Sequence, residues 1–161
     1  MTDTPKSKRP RQRRAKDGDL LLVGTGDGRF IQAVAVEDCA IAFFAPAFAP
    51  DEPVPKLDPA KRLFTVVVSR HAVTSGLWRK IGKCHPSVRR TIPFPEFFIH
   101  SELEPNQWSV YAAGEVRRAK REQCVGLERC CCWEPHHIED RIRANLVGEE
   151  SKWECDTPLK P

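Results

Sequence analysis

The chain has 161 residues, 40% hydrophobic and 30% charged, with seven cysteines and a formal net charge of +4. That length fits one domain with a real core, and no apolar run approaches the ~20 residues of a membrane-spanning helix. Three of the cysteines are adjacent, which leaves them no room to pair in a disulfide framework, so a reduced, cytoplasmic protein is expected.

The charge is unevenly placed. Residues 1–16 carry seven basic side chains (Lys6, Lys8, Arg9, Arg11, Arg13, Arg14 and Lys16) against Asp3, leaving 19 basic and 21 acidic residues, a body near −2. Residues 1–16 are therefore expected to be a disordered basic arm that folding does not need. The arm has no apolar segment behind its charges, so it does not read as a secretory signal. It also lacks an aromatic residue to stack on a base.

Order is expected from Gly18. "DLLLV" and "RFIQAVAV" are apolar runs separated by "GTGDG", and Asp27-Gly28 favours a hairpin turn. Phe30, Gln32, Val34 and Val36 share one strand face, and Ile31, Ala33 and Ala35 the other. Only Gln32 is polar, so this strand is expected to be buried on much of both faces. "CAIAFF" supplies a third strand, and the three form a meander.

"APAFAPDEPVPKLDPAKR" holds five prolines in eighteen residues, too many for a regular element, and a loop this long is often functional. "LFTVVV" is expected to be a central strand. Ser69 is placed to cap a short helix in "RHAVTSGLW", weakened by Gly76. "FPEFFIHSEL" is a strand or irregular edge, because Pro93 and Pro95 exclude a central strand at its start. "WSVYAAGEV" and "CVGLERCCCW" read as a late strand pair, with "RRAKREQ" a solvated turn between them.

The stretch "LERCCCWEPHHIEDRIRANLVG" has the residue types of a metal site but not the spacing. Structural zinc sites separate their cysteines by two to four residues. On a strand Cys131 points away from Cys130 and Cys132, so only that i, i+2 pair shares a face. His136 and His137 sit about 100° apart around a helix axis. The cysteines are expected to be buried core residues, with no metal and no cofactor. No phosphate loop, nucleophile elbow or paired thiolate and base is recognisable, so no enzyme and no catalytic residue is assigned. Pro135 suits the first turn of a helix, Ile138, Ile142 and Leu146 repeat at i, i+4 and i+8, and Gly148 suits its end. Trp133 is expected to pack where strand meets helix.

Taken in order, several of these motifs resemble the immunity protein 26 family of bacterial polymorphic-toxin systems. They are Gly18-Asp19, Asp27-Gly28-Arg29-Phe30, the strand 63–68, Gly76 and Trp78 with Ile81-Gly82, and Trp133, Pro135, His137, Ile138, Glu139, Arg141 and Ile142. The resemblance covers about residues 17–148. The triple cysteine and the basic arm depart from the family pattern. It implies a non-enzymatic antitoxin that binds a cognate toxin domain, with its motif residues holding the fold and His137, Glu139 and Arg141 supporting the closing helix.

The expected organisation is the arm (1–16), one immunity-protein-like domain (17–148) and a tail (149–161). The fold class expected is α+β: a mostly antiparallel meander or small barrel-like sheet with short helices, including a C-terminal amphipathic helix. The partner is a toxin domain rather than a membrane. The alternative is a small β-barrel module that binds nucleic acid through its arm, but such a reader is basic across its folded face and this body is slightly acidic. A nuclease toxin presents a basic cleft, and an inhibitor that fills it offers carboxylates. Asp51, Glu52 and Asp58 in the proline-rich loop are the candidate partner-binding residues.

Overall fold

The computed structural model describes residues 11–37, 40–154 and 157–161. The chain begins with β1 (Asp19–Gly24), β2 (Phe30–Ala35), β3 (Ala40–Phe48) and β4 (Arg62–Val68). These pair antiparallel in sequence. The short helix α1 (His71–Thr74) and strand β5 (Arg79–Lys83) follow, and β5 returns to the outer side of β1. After helix α2 (Pro86–Arg90), strands β6 (Phe97–His100), β7 (Trp108–Ala112) and β8 (Glu115–Ala119) begin a second sheet. Helix α3 (Arg121–Cys124), the two-residue strands β9 (Glu128–Arg129) and β10 (Cys132–Trp133), and helix α4 (Pro135–Leu146) complete the order.

The first sheet runs β10-β4-β3-β2-β1-β5 and the second β8-β7-β6-β9. Both are mixed, because β10 lies parallel to β4 and β9 parallel to β6. The fold is α+β and β-rich, as expected, and its sheets stay open rather than closing into a barrel. Among the described residues no helix is long and apolar enough to cross a membrane.

The first sheet is buried on both faces, which is why β2 reads as an almost unbroken apolar run. On one face Leu21, Val23, Ile31, Ala33, Phe43 and Val66 pack with Trp78, Trp133 and Ile138 and Ile142 of α4. On the other, Val34, Val36, Ala42 and Phe44 meet Ile92, with Leu57 of the proline-rich loop and Phe94 packed against them. Gln32 is buried because its side-chain amide donates to Pro55 O at 2.7 Å, anchoring that loop across the sheet. The second sheet has its own small core of Phe98, Val110 and Cys124, to which Leu159 adds.

Four local expectations need correction. Strand β3 runs on through Pro46 to Phe48, into the stretch expected to hold no regular element. The β3–β4 pairing ends at Phe44 opposite Arg62, and on the β2 side Pro46 falls in the irregularity between the Phe44–Gln32 and Phe48–Phe30 pairs, a bulge position that tolerates proline. Ser69 is not a side-chain cap: Arg70 holds the N-cap position of α1, and Ser69 donates its N–H to Trp133 O. "WSVYAAGEV" is itself a hairpin of β7 and β8, and "RRA" lies in β8 rather than in a turn. Cys130, Cys131 and Cys132 are exposed. They fall where the chain leaves β9 in one sheet and enters β10 in the other, so this crossover runs over the surface instead of through the core.

Candidate partner-binding surface

The proline-rich loop is held from several sides before any partner is considered. Leu57 packs into the second core cluster, and Gln32 grips the Pro55 carbonyl. At its start Ala49 N–H donates to the Glu52 carboxylate at 2.6 Å, while Glu52 N–H donates back to Ala49 O at 3.1 Å. At its end the Asp58 carboxylate accepts from Ala60 N–H at 3.0 Å and caps the 3-10 turn Pro59–Lys61. Asp51 and Glu52 therefore share an exposed tip, and Asp58 is half-buried and turned to its own backbone. Asp51 makes no ion pair among the described residues.

The motif residues lie elsewhere, at the joints of the fold. Gly18 adopts a φ of +78°, a left-handed conformation that favours glycine, and places Asp19 at the head of β1. The Asp19 carboxylate is 2.7 Å from Lys83 Nζ and 3.2 Å from Lys80 Nζ, and accepts from Lys16 N–H at 2.8 Å. Burial pushes this carboxyl up, but the Lys83 ammonium, the Lys16 N–H and Lys80 outweigh it and hold it below the usual range. Gly76 is also left-handed; beyond it Trp78 turns into the core, fully buried and edge-on to Phe43 at 5.6 Å.

Helix α4 closes the molecule through Arg141, which is 2% exposed. Its guanidinium binds Glu128 through both oxygens, at 2.6 and 3.1 Å, and its Nε lies 2.9 Å from Glu154. Its Cζ sits 4.0 Å from the centre of the Phe64 ring and 5.1 Å from that of Trp133. Thr157 donates its hydroxyl to Glu128, and Glu154 accepts from Ser151 N–H at 2.6 Å and Asn145 at 3.1 Å. His137 packs on Trp153 at 3.8 Å, and the Trp153 indole donates to Asp140 at 2.9 Å. That bond, outweighing burial and helped by Arg143, holds the Asp140 carboxyl below its usual range. Burial, with the neighbouring His136 charge, pulls His137 below the ordinary histidine range.

The tail was missed as a structural part by sequence reasoning. Trp153 packs against the first core, Glu154 and Thr157 are buried, and Leu159 exchanges backbone bonds with Gly126 and Leu127. The one available signal was Trp153, a large aromatic in a polar stretch. At the other end, Gln12 donates to the carbonyls of Thr74 and Trp78 and accepts from Lys80 N–H, each at 3.1 Å. Residues 1–10 of the expected arm lie outside the described residues. Among the described residues no three His, Cys, Asp or Glu side chains gather as metal ligands.

The family model described as Immunity protein 26 matches residues 16–109. No curated protein and no solved structure matches the chain. The matched segment spans β1 to β6 and the start of β7, and includes the Asp19 cluster, Trp78 and the proline-rich loop; α4 and its ion cluster lie beyond it.

Proposed function

Because the chain belongs to the immunity protein 26 family, we propose that it is a non-enzymatic antitoxin that neutralises a cognate toxin domain by forming a stoichiometric complex with it. The family match over residues 16–109 carries this reading. The tip of the proline-rich loop is the proposed contact, with Asp51 and Glu52 meeting a basic surface of the toxin and Asp58 holding the loop's far end. A loop pinned by Gln32 and Leu57 loses little conformational freedom on docking, and exposed carboxylates raise the association rate toward a basic cleft.

The test pairs this chain with the toxin domain encoded beside its gene. Expected are a one-to-one complex and protection of cells that express the toxin. Replacing Asp51→Lys and Glu52→Lys together is expected to slow association about tenfold at low salt, with much less effect at high salt. A complex whose rate and salt dependence are unchanged removes the loop from the interface. Failure of the wild-type chain to bind or protect removes the antitoxin reading for that pair, and binding of nucleic acid by the folded body would replace it.

A further inference from the structure

The two sheets have four edges, and three of them are blunted. Strand β5 pairs with β1 through a bulge, and Lys80 in it is engaged by Gln12 through its N–H and by Arg14 O through its ammonium. Strands β9 and β10 are two residues long. Proteins blunt sheet edges in these ways because an open row of N–H and C=O groups templates the addition of another strand. Strand β8 is different. It is five residues long, pairs with β7 in unbroken register, and among the described residues no other backbone bonds to it.

The hairpin geometry fixes which groups of β8 are open. Its turn is Ala113-Gly114, with φ of 48° and 88°, a type I′ turn that makes the flanking pair Ala112 and Glu115 hydrogen-bonded. Alternation along the ladder then makes Val110 with Arg117 and Trp108 with Ala119 bonded pairs. Val116 and Arg118, opposite Tyr111 and Ser109, aim their N–H and C=O groups away from β7.

The side chains on this edge carry one dominant sign. Arg117, Arg118, Lys120 and Arg121 follow Glu115 and Val116, and Val116 is 61% exposed. Arg117 is paired with Glu96 at 3.0 Å and Arg121 donates to Lys160 O, which leaves Arg118 and Lys120 facing outward. Beside Arg118 lies a hollow of about 160 Å³ lined by Asn106, Gln107, Trp108, Ser109 and Ala119. Its amides and hydroxyl, with the guanidinium, can all donate to a carboxylate.

We propose that the free edge of β8 is a docking site for an extended acidic segment of a partner protein, which adds as a strand along Val116–Arg118 and lays a carboxylate beside Arg118. Backbone bonding supplies the general affinity, and the basic run with its hollow selects acidic side chains. The site is separate from the proline-rich loop and does not depend on the partner being a toxin.

The test uses the full chain, isotope-labelled for NMR, with a capped seven-residue peptide of alternating glutamate and valine. A matching peptide of lysine and valine is the control. The acidic peptide is expected to shift the Val116 and Arg118 amides and slow their hydrogen exchange at least tenfold, and to leave the already bonded Arg117 and Ala119 amides little changed. The basic peptide is expected to do neither. Arg118→Pro removes an outward N–H donor and the guanidinium but no bond to β7, so the hairpin is kept and binding is lost. Arg118→Glu with Lys120→Glu is expected to reverse the preference between peptides, and it decides the matter should the proline variant not fold. No response to either peptide at millimolar concentration, or an equal response to both, overturns the proposal. So does a concentration-dependent dimer with these amides slowed in the absence of peptide, which would assign the edge to a second copy of the chain.

Discussion

Arg141 shows how one side chain can join three parts of a chain. It rises from α4, binds Glu128 of β9 and Glu154 of the C-terminal segment, and lies over Phe64 and Trp133. Removing it leaves two carboxylates shielded from water without a counter-charge. Arg141→Ala is therefore expected to cost about 3–5 kcal/mol, read from the shift in a denaturant midpoint. Arg141→Met with Glu128→Gln and Glu154→Gln is expected to recover much of that loss, because no buried charge is then stranded. A triple variant no more stable than the single one would show that the guanidinium acts by packing instead. Trp133, 5% exposed, is the aromatic partner of the same site, and Trp133→Ala is expected to cost about 3–5 kcal/mol. A melt within a few degrees of the wild type would contradict its burial.

At the scale of elements, the ends of the chain act as straps. The segment after α4 contributes Trp153, Glu154, Thr157 and Leu159 to the folded body. Truncation after Glu150 is thus expected to abolish a cooperative unfolding transition, since it breaks the Arg141 cluster and removes the Trp153–Asp140 bond together. A truncated chain with wild-type stability would refute that role. At the N-terminus, deletion of residues 1–16 is expected to lower the melting temperature, because Gln12, Arg14 and Lys16 bond to Trp78, Lys80 and Asp19. Restoring residues 11–16 to that deletion should raise the melting temperature again. The tip of the β1–β2 hairpin is held in a similar way. Arg143 donates to Thr25 O, and a Cβ at Gly26, where φ is +81°, meets the Arg143 guanidinium. Gly26→Ala is expected to loosen the hairpin from α4.

For the whole molecule, stability is expected to fall with acid in two steps. His137 has a folded pKa below its ordinary value, so the unfolded chain takes up the proton first. Its contribution is present above about pH 6.5 and is lost as pH falls through the lower folded value. Asp19 and Asp140 are also depressed; their contributions are present above about pH 4 and disappear as pH falls through their folded values. Denaturation midpoints between pH 7 and pH 3 should show a shallow decline and then a steep one. His137→Gln should remove the first and leave the second, and a variant that keeps the first decline would assign it to another group.

The sequence by itself determined the meander, the closing helix and the family. The near-continuous apolar runs of β1 and β2 are a property of neighbouring residues, the Asp27-Gly28 turn is local stereochemistry, and Pro135, the Ile138–Ile142–Leu146 spacing and Gly148 mark α4 end to end. Gln32 was legible as the odd polar residue of β2, but its bond to Pro55 was not, because that contact crosses a long loop. Tertiary structure alone decided that β10 lies along β4 and β9 along β6: a two-residue strand has no period to read, and its partner lies far away in sequence. The same crossover exposes the three cysteines and buries Arg141, reversing what their side-chain chemistry suggests. A cysteine is buried only where the backbone carries it inward, and an arginine can be buried where two distant carboxylates converge on it.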